Sequence, residues 1–448
     1  MNIESKPTTA SLNSLNNNQI IRSETRLRET TYRLIISQFF YDGHQQLAVQ
    51  LSNLLQTAPP CPPSDRLTHI VRLGLKAEED IESTKRSITT SIVTENIQDI
   101  GLDFDYKSDS LISTPDAGSY ETCYVTAHKA PCRTAVFDST GSVIATGSAD
   151  ASIKILDVDR MLIKNLDFPS QSDQNLENHP VIRTLYDHAD EVTCLDFHPY
   201  DPILVSGSRD YTIKFFEYAK PTTKKSFRTM SEVDQIRCLS FHPSGDWLLV
   251  GTQNPIVRLY DVETGKCFVS AQPQEQHSKA ITCLKWSPNG RMFATSSKDG
   301  TFKVWDGVTN RCVNTFENAH ANEEVCSVLF TKNSKYLLTS GKDSQVRLWE
   351  LSTARCLIHY TGAGSMAKQE HRATCVFNHT EDYILYPDEK ATSLCCWNSR
   401  NAERQRLLGL GHNAPVKCIV HSPITPAFVS CSDDHRARFW CKRTLLSD

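Results

Sequence analysis

No apolar run in the 448 residues approaches the roughly 18 that a membrane-spanning helix needs. The first stretch, MNIESKPTTASLNSLNNNQ, is polar and lacks the apolar core of a signal peptide, so a cytosolic or nuclear chain is expected, with no membrane partner. A surplus of positive charge is also missing. Lys and Arg number 48 against 52 Asp and Glu, a formal net charge of −4. Proteins that neutralise many phosphates by themselves are usually basic, which disfavours dominant DNA or RNA binding. There is no C-x-x-C pair, so a zinc knuckle is not expected. The glycine pair of GAGS (362–365) has neither a P-loop lysine nor a dinucleotide fingerprint, and it reads as a loop between repeats. Cofactors and metals are not expected. What remains is an ordinary globular balance, 39% hydrophobic and 22% charged.

Sixteen cysteines are present. Their scattered spacing and the intracellular setting argue against a disulfide framework. A repeat explains several of them: Cys194, Cys238, Cys283 and Cys418 each lie five residues before a proline (Pro199, Pro243, Pro288, Pro423). That recurring place reads as a small buried side chain on an inner strand.

The repeat itself is plain from about residue 120 onward. TGSADASIKILD (146–157), SGSRDYTIKFFE (206–217), TSSKDGTFKVWD (295–306), TSGKDSQVRLWE (339–350) and SCSDDHRARFWC (430–441) are versions of one unit, with weaker copies at 250–261 and 387–398. The residue near the end of each copy is Leu156, Phe216, Tyr260, Trp305, Trp349, Trp397 and Trp440. Apart from the longer first interval, the spacing is the roughly 40–45 residues of a WD-repeat blade. The expected fold is mainly β: a seven-bladed WD-repeat β-propeller over 120–448, preceded by a small α-helical dimerisation domain. One blade cannot bury both of its faces, whereas seven in a ring can. YETCYVT (120–126) is expected to supply the outer strand of the seventh blade and so close the ring.

Three copies carry His, Thr or Ser, Asp and Trp at matching offsets: His277/Thr295/Asp299/Trp305, His320/Thr339/Asp343/Trp349 and His412/Ser430/Asp434/Trp440. Read alone, each set resembles a hydrolytic triad. Repetition around a ring argues instead for a structural hydrogen-bond relay that holds each turn, so no catalytic residue is expected. Blades one and two keep His128/Thr146/Asp150 and His188/Ser206/Asp210 without the Trp. Blades three and six have Val250 and Asn254, then Pro387 and Ala391, and are expected to be less rigid. The residue before each turn position is Ala149, Arg209, Gln253, Lys298, Lys342, Lys390 or Asp433. Arg209, Lys298, Lys342 and Lys390 therefore form a candidate face for an acidic partner.

Before the repeats, residues 1–22 read as a disordered tail. Residues 23–77 show helical periodicity in three segments. The first, 23–41, has Leu27, Leu34, Ile35 and Phe39 on one side and Gly43 as its C-cap; the second, 44–56, is stopped by prolines at 59–63. The third, capped by Ser64 or Asp65, carries Leu67, Ile70, Val71 and Leu75. This unit has more apolar surface than a thin core can cover, so homodimerisation through Leu34, Ile35, Ile36, Phe39, Phe40, Leu47 and Leu51 is expected. Residues 78–119 lack periodicity and are acidic from Asp99 to Glu121, and they read as a linker.

The wording of the loops goes beyond a generic propeller. YRLIISQFFYDG (32–43), YETCYVTAHKAPCR (120–133), ENHPVIRTLYDH (177–188), KDGTFKVWDGVTNRC (298–312), FNHTEDY (377–383) and CSDDHRARFW (431–440) resemble the WD-repeat subunit of cleavage stimulation factor, a pre-mRNA 3′-end processing complex. The resemblance runs from about residue 30 to the end and implies a non-catalytic nuclear scaffold. It implies a homodimer formed through the N-terminal helices and a propeller bound to the complex's helical-repeat scaffold subunit. Through that subunit the RNA-binding subunit is reached, so contact with RNA is mostly indirect, and the RNA polymerase II tail is a further implied partner. Two other classes remain open: a generic WD-repeat adaptor such as a ubiquitin-ligase substrate receptor, although no F-box is recognisable, and an enzyme with an accessory propeller, although residues 1–119 are small and poor in paired polar residues.

Overall fold

A computed structural model describes residues 32–55, 64, 67, 102–104, 117–165, 179–220, 223–363, 369–389, 392–405 and 407–442. The chain divides into two compact units, Met1–Asn96 and Ile97–Asp448. The expected tail 1–22, Leu27, and the third helix's Asp65, Ile70, Val71 and Leu75 lie outside the described residues, as do Lys390 and Ala391.

In the first unit, residues 32–41 are helical (α1) and Gln45–Leu54 form α2. Gly43 stops α1 at a φ of 85°, a left-handed conformation that suits a residue without Cβ. Its N–H donates to Phe40 O (3.4 Å) and the His44 N–H to Phe39 O (2.9 Å), the paired bonds of a Schellman cap. The reversal brings Ile36 against Ala48, both fully buried, with Phe39, Phe40 and Leu51 packed around them.

The second unit consists of seven four-stranded antiparallel sheets. Blades one to six are β2–β5 (132–185), β6–β9 (192–231), β10–β13 (236–268), β14–β17 (281–316), β18–β21 (325–360) and β22–β25 (376–409). Blade seven combines β26–β28 (416–442) with β1 (Tyr120–Ala127). β1 lies antiparallel to β28 (Arg436–Lys442), with Tyr120 opposite Lys442 and Ala127 opposite Arg436, so the first strand closes the ring as the sequence suggested.

One cysteine pair departs from the sequence expectation. Cys123 on β1 and Cys441 on β28 are disulfide-bonded across a sequence separation of 318. No spacing rule finds this pair, because ring closure alone makes the two strands neighbours. Cys194, Cys238 and Cys418 behave as expected: all are buried on the innermost strands of their blades, and Cys283 is half-buried on β14 (Ile281–Trp286). Burial pushes the Cys194 thiol up to about 12 and Cys418 up to about 11, so both stay protonated and unreactive.

Each pair of neighbouring blades shares one apolar cluster, and the seven clusters complete the circle. Successive residues of a strand point to opposite sheet faces. On β15 (Met292–Ser297), Phe293 packs toward blade three and the next residue, Ala294, toward blade five. Both faces of the sheet are buried, so five successive residues of β15, Phe293 to Ser297, are all buried. The longer first interval has a local cause. An insertion after β4 (Ile153–Asp157) forms helix α3 (Val158–Asn165), whose Met161 is buried near β1. Inside the segment expected to be a linker, Leu102, Asp103 and Phe104 are held against blades five and six.

Candidate functional site

The histidine sets assemble as relays. In blade four, His277 Nδ1 meets Asp299 Oδ2 at 3.1 Å and Nε2 meets Thr295 Oγ1 at 2.8 Å. Trp305 Nε1 donates to the same hydroxyl at 2.8 Å. In blade five, His320 bonds Asp343 and Thr339, both at 2.9 Å, and Trp349 donates to Thr339 at 2.9 Å. In blade seven, His412 bonds Asp434 (2.9 Å) and Ser430 (2.8 Å), with Trp440 donating at 3.0 Å. The carboxylate can only accept, so a neutral imidazole carries its proton on Nδ1 and donates it to the aspartate, and its Nε2 accepts from the hydroxyl that also receives the indole N–H. Thr295, Thr339 and Ser430 are all 0% exposed, so the hydroxyls that resemble nucleophiles are sealed inside the blades.

The remaining blades vary this theme. His188 keeps Asp210 (2.8 Å) and Ser206 (2.6 Å). His128 keeps Thr146 at 3.0 Å but turns Nδ1 to Ser152 Oγ (3.0 Å), with Asp150 at 3.6 Å. Blade three replaces the relay with a charged network. Glu232 accepts from Tyr260 Oη and pairs with Arg258 (3.4 Å), which donates to Thr252 Oγ1 (3.0 Å). In blade six, Trp397 donates to Thr361 O at 3.0 Å.

Beside the relay turns opens the mouth of a central cavity of 570 Å³. Arg209, Lys298 and Lys342 all line it, so the described members of the sequence-derived basic face come together. They differ in what holds them. Glu191 pairs with Arg209 (2.9 Å) and Arg133 (2.6 Å), and Asp433 with Arg133 (2.5 Å) and Lys417 (2.6 Å). Glu324 pairs with Lys342 (3.5 Å) and with Arg372. Lys298 has no such pair among the described residues, and nor does Arg237, which donates to Gln253 Oε1 (2.6 Å) while its buried Nε has no hydrogen-bond partner. Burial lowers the Arg237 pKa, a sign of charge without full compensation. Arg133, Arg237 and Lys417 were missed in the sequence. Each is the second residue of its innermost strand, directly after Cys132, Ile236 or Val416, at a register shift of the ladder, and such a bulge re-aims the side chain, here to the cavity lining.

The expected dimerisation residues divide. Ile36 lies inside the hairpin at 0% exposure and belongs to its own core, which corrects its assignment to an outward face. Leu34, Ile35, Phe39, Phe40 and Leu51 are half-buried, and Leu47 is exposed. Tyr41, Val49 and Leu54 are exposed too.

Known proteins give this geometry a context. The family model of the cleavage stimulation factor subunit 1 dimerisation domain matches residues 24–79. The model of the WD domain, G-beta repeat matches 120–157, 180–217, 269–306, 310–350 and 404–441, and that of the anaphase-promoting complex subunit 4 WD40 domain matches 224–278. Cleavage stimulation factor subunit 50 of Arabidopsis thaliana is 36% identical over 388 residues, covering 84% of this chain and 87% of that protein. The COMPASS component SWD3 of Saccharomyces cerevisiae is 25% identical over 198 residues, 43% of this chain and 56% of that one. The crystal structure of the Myceliophteria thermophila Cps50 (Swd1) β-propeller domain superposes with a TM-score of 0.60 at 16% identity, covering 72% of this chain and all of that one, a likeness of fold alone. With a dimerisation domain matched ahead of the ring and 36% identity along most of both sequences, the chain belongs to the cleavage stimulation factor subunit 50 family.

Proposed function

We propose that the chain is a non-catalytic scaffold subunit of cleavage stimulation factor, acting in the nucleus to promote pre-mRNA 3′-end cleavage and polyadenylation through protein–protein contacts. It pairs with a second copy through its N-terminal helices and binds the helical-repeat scaffold subunit with its propeller. The RNA-binding subunit and RNA are reached through that partner, and the RNA polymerase II tail is a further anionic ligand for the ring. The observation that carries this reading is an apolar surface left open on the hairpin. Leu54 is 82% exposed and Leu47 49% exposed, inside the segment matched to a dimerisation domain. Exposed apolar side chains clustered on one small unit are the mark of an association surface.

The buried relay hydroxyls support the non-catalytic role, since each is already occupied by an indole N–H and a histidine. The basic mouth supports an acidic partner segment, with Lys298 and Arg237 as its open cations and Arg209 and Lys342 at the flanks. Affinity purification of the tagged full chain from nuclear extract tests the assignment. Co-purification of the helical-repeat and RNA-binding subunits is expected; a ligase complex in their place would replace this reading with the adaptor one.

A further inference from the structure

Blades five and six meet in a cleft occupied by the chain's own Leu102, Asp103 and Phe104. Most polar groups of this short segment are engaged. The Leu102 N–H donates to Glu381 Oε2 (2.7 Å), and Asn333 Nδ2 donates to Leu102 O (2.8 Å). Lys335 Nζ pairs with Asp103 Oδ2 (2.6 Å), and Arg400 donates to Asp103 O (2.6 Å). Phe104 presents its N–H to Tyr336 Oη (3.4 Å) and stacks edge-on against that ring with centroids 5.3 Å apart. The Leu102 side chain is 1% exposed, sunk into the apolar cluster shared by the two blades.

Glu381 reveals that the cleft is built for this contact. It sits in the turn between β22 (Val376–Phe377) and β23 (Tyr383–Asp388) with φ 63°. Equivalent turns of blades one, three and four place Gly141, Gly245 and Gly290 there, and blade five the small Ser334, each with the same bond from its N–H to the carbonyl three residues back. A side chain in the left-handed region opposes local backbone preference. Here it is a buried carboxylate that also accepts the Lys332 N–H (2.6 Å). Burial still raises the Glu381 pKa, and the two amides it receives, one of them from residue 102, oppose that desolvation only in part. The cleft lies on the face opposite the basic mouth, because Lys335 precedes and Lys342 follows the same strand, β19 (Tyr336–Gly341).

We propose that this cleft is a peptide-binding site that recognises a Leu-Asp-Phe segment, that its occupant is the chain's own residues 102–104, and that Glu381 is its recognition residue. The chain is thereby anchored to the propeller well before β1 begins. The site does not depend on the scaffold role proposed above, and it is tested by a separate ligand.

The full-length chain carrying Leu102→Asp with Phe104→Ala empties the cleft. A fluorescent peptide of residues 99–107 then binds that variant saturably, and binds the unaltered chain at least about tenfold more weakly, because there the tethered segment competes at a high effective concentration. Adding Glu381→Gly to the emptied variant abolishes peptide binding, although glycine suits the turn and leaves the melting temperature level or higher. Hydrogen exchange on the otherwise native chain gives a second readout: Glu381→Gly speeds exchange at the Leu102 and Lys332 amides together. Equal peptide binding by the filled and emptied chains overturns the proposal. So does undiminished binding after Glu381→Gly, or unchanged protection of the two amides.

Discussion

Trp349 Nε1 donates to Thr339 Oγ1 at 2.9 Å, ten positions earlier in the chain, and the same hydroxyl meets His320 Nε2 at 2.9 Å. Both partners lie on adjacent strands of blade five, where Thr339 is opposite Arg347 and Leu337 opposite Trp349. The relay thus runs from the core of the blade to Asp343 in its outer turn. Asp343→Ala removes the terminal acceptor of a buried chain of hydrogen bonds, and a loss of about 1–3 kcal/mol is expected. Asn254→Ala in blade three should lose less, since Asn254 only holds the turn through the Ile256 N–H (3.1 Å). Chemical denaturation of the two variants checks the order, and equal losses would refute it.

Acid should weaken the propeller before its aspartates titrate. His379 and His421 stack with centroids 5.5 Å apart. Burial pushes His379 down to about 4 and His421 down to about 3. In the unfolded chain each titrates near ~6.5, so below that pH the unfolded state takes up protons that the folded state refuses. Stability is complete above this window and is lost progressively as pH falls from about 6.5 toward the folded values. The relay aspartates Asp299 and Asp434 are held below the usual carboxylate range: burial opposes this, but their histidine hydrogen bonds outweigh it. Their contribution is therefore lost only at lower pH. Unfolding free energies between pH 7.5 and 4.5 should decline in the native chain, and His379→Gln with His421→Gln should flatten the decline.

Association of the helical unit should be separable from its folding. Leu47→Asp with Leu54→Asp changes exposed side chains and leaves the Ile36–Ala48 contact in place. Sedimentation of the full chain is expected to shift from dimer to monomer with the propeller's melting temperature unchanged. Ile36→Asp, by contrast, puts a charge into the hairpin core and should unfold that unit.

At the basic mouth, charge reversal should act where no carboxylate already holds the cation. Lys298→Glu with Arg237→Gln is expected to weaken capture of the acidic partner at least about tenfold and to lower its salt dependence, because exposed contacts are screened over a Debye length of about 10 Å. Lys342→Glu is a less clean probe, since it also breaks the pair with Glu324. Titrations at two salt concentrations measure the effect; capture that is unchanged and equally salt-sensitive would move the interface off this mouth.

The repeat made much of this legible in advance. The five relay histidines stand 18 residues before their hydroxyls, or 19 in blade five, and each bonds that hydroxyl. The basic face was half visible. Turn residues such as Lys298 stand out because their position recurs, whereas Arg237 and Lys417 sit at bulges of inner strands, which a sequence pattern does not mark. Ile36 was misplaced because helical periodicity says which residues are apolar but not which neighbour each one meets.

The sequence by itself determined the number of blades, the closing strand, the turn chemistry and the Gly43 cap. Each depends on local pattern: a period, an offset, a backbone conformation that few residues adopt. Only the tertiary structure decided the Cys123–Cys441 bond, the ion pairs that leave Lys298 and Arg237 open, and the seat of Leu102 against Glu381. Those contacts join residues hundreds of positions apart. They arise only when seven sheets, each needing neighbours to cover both of its faces, close into a ring.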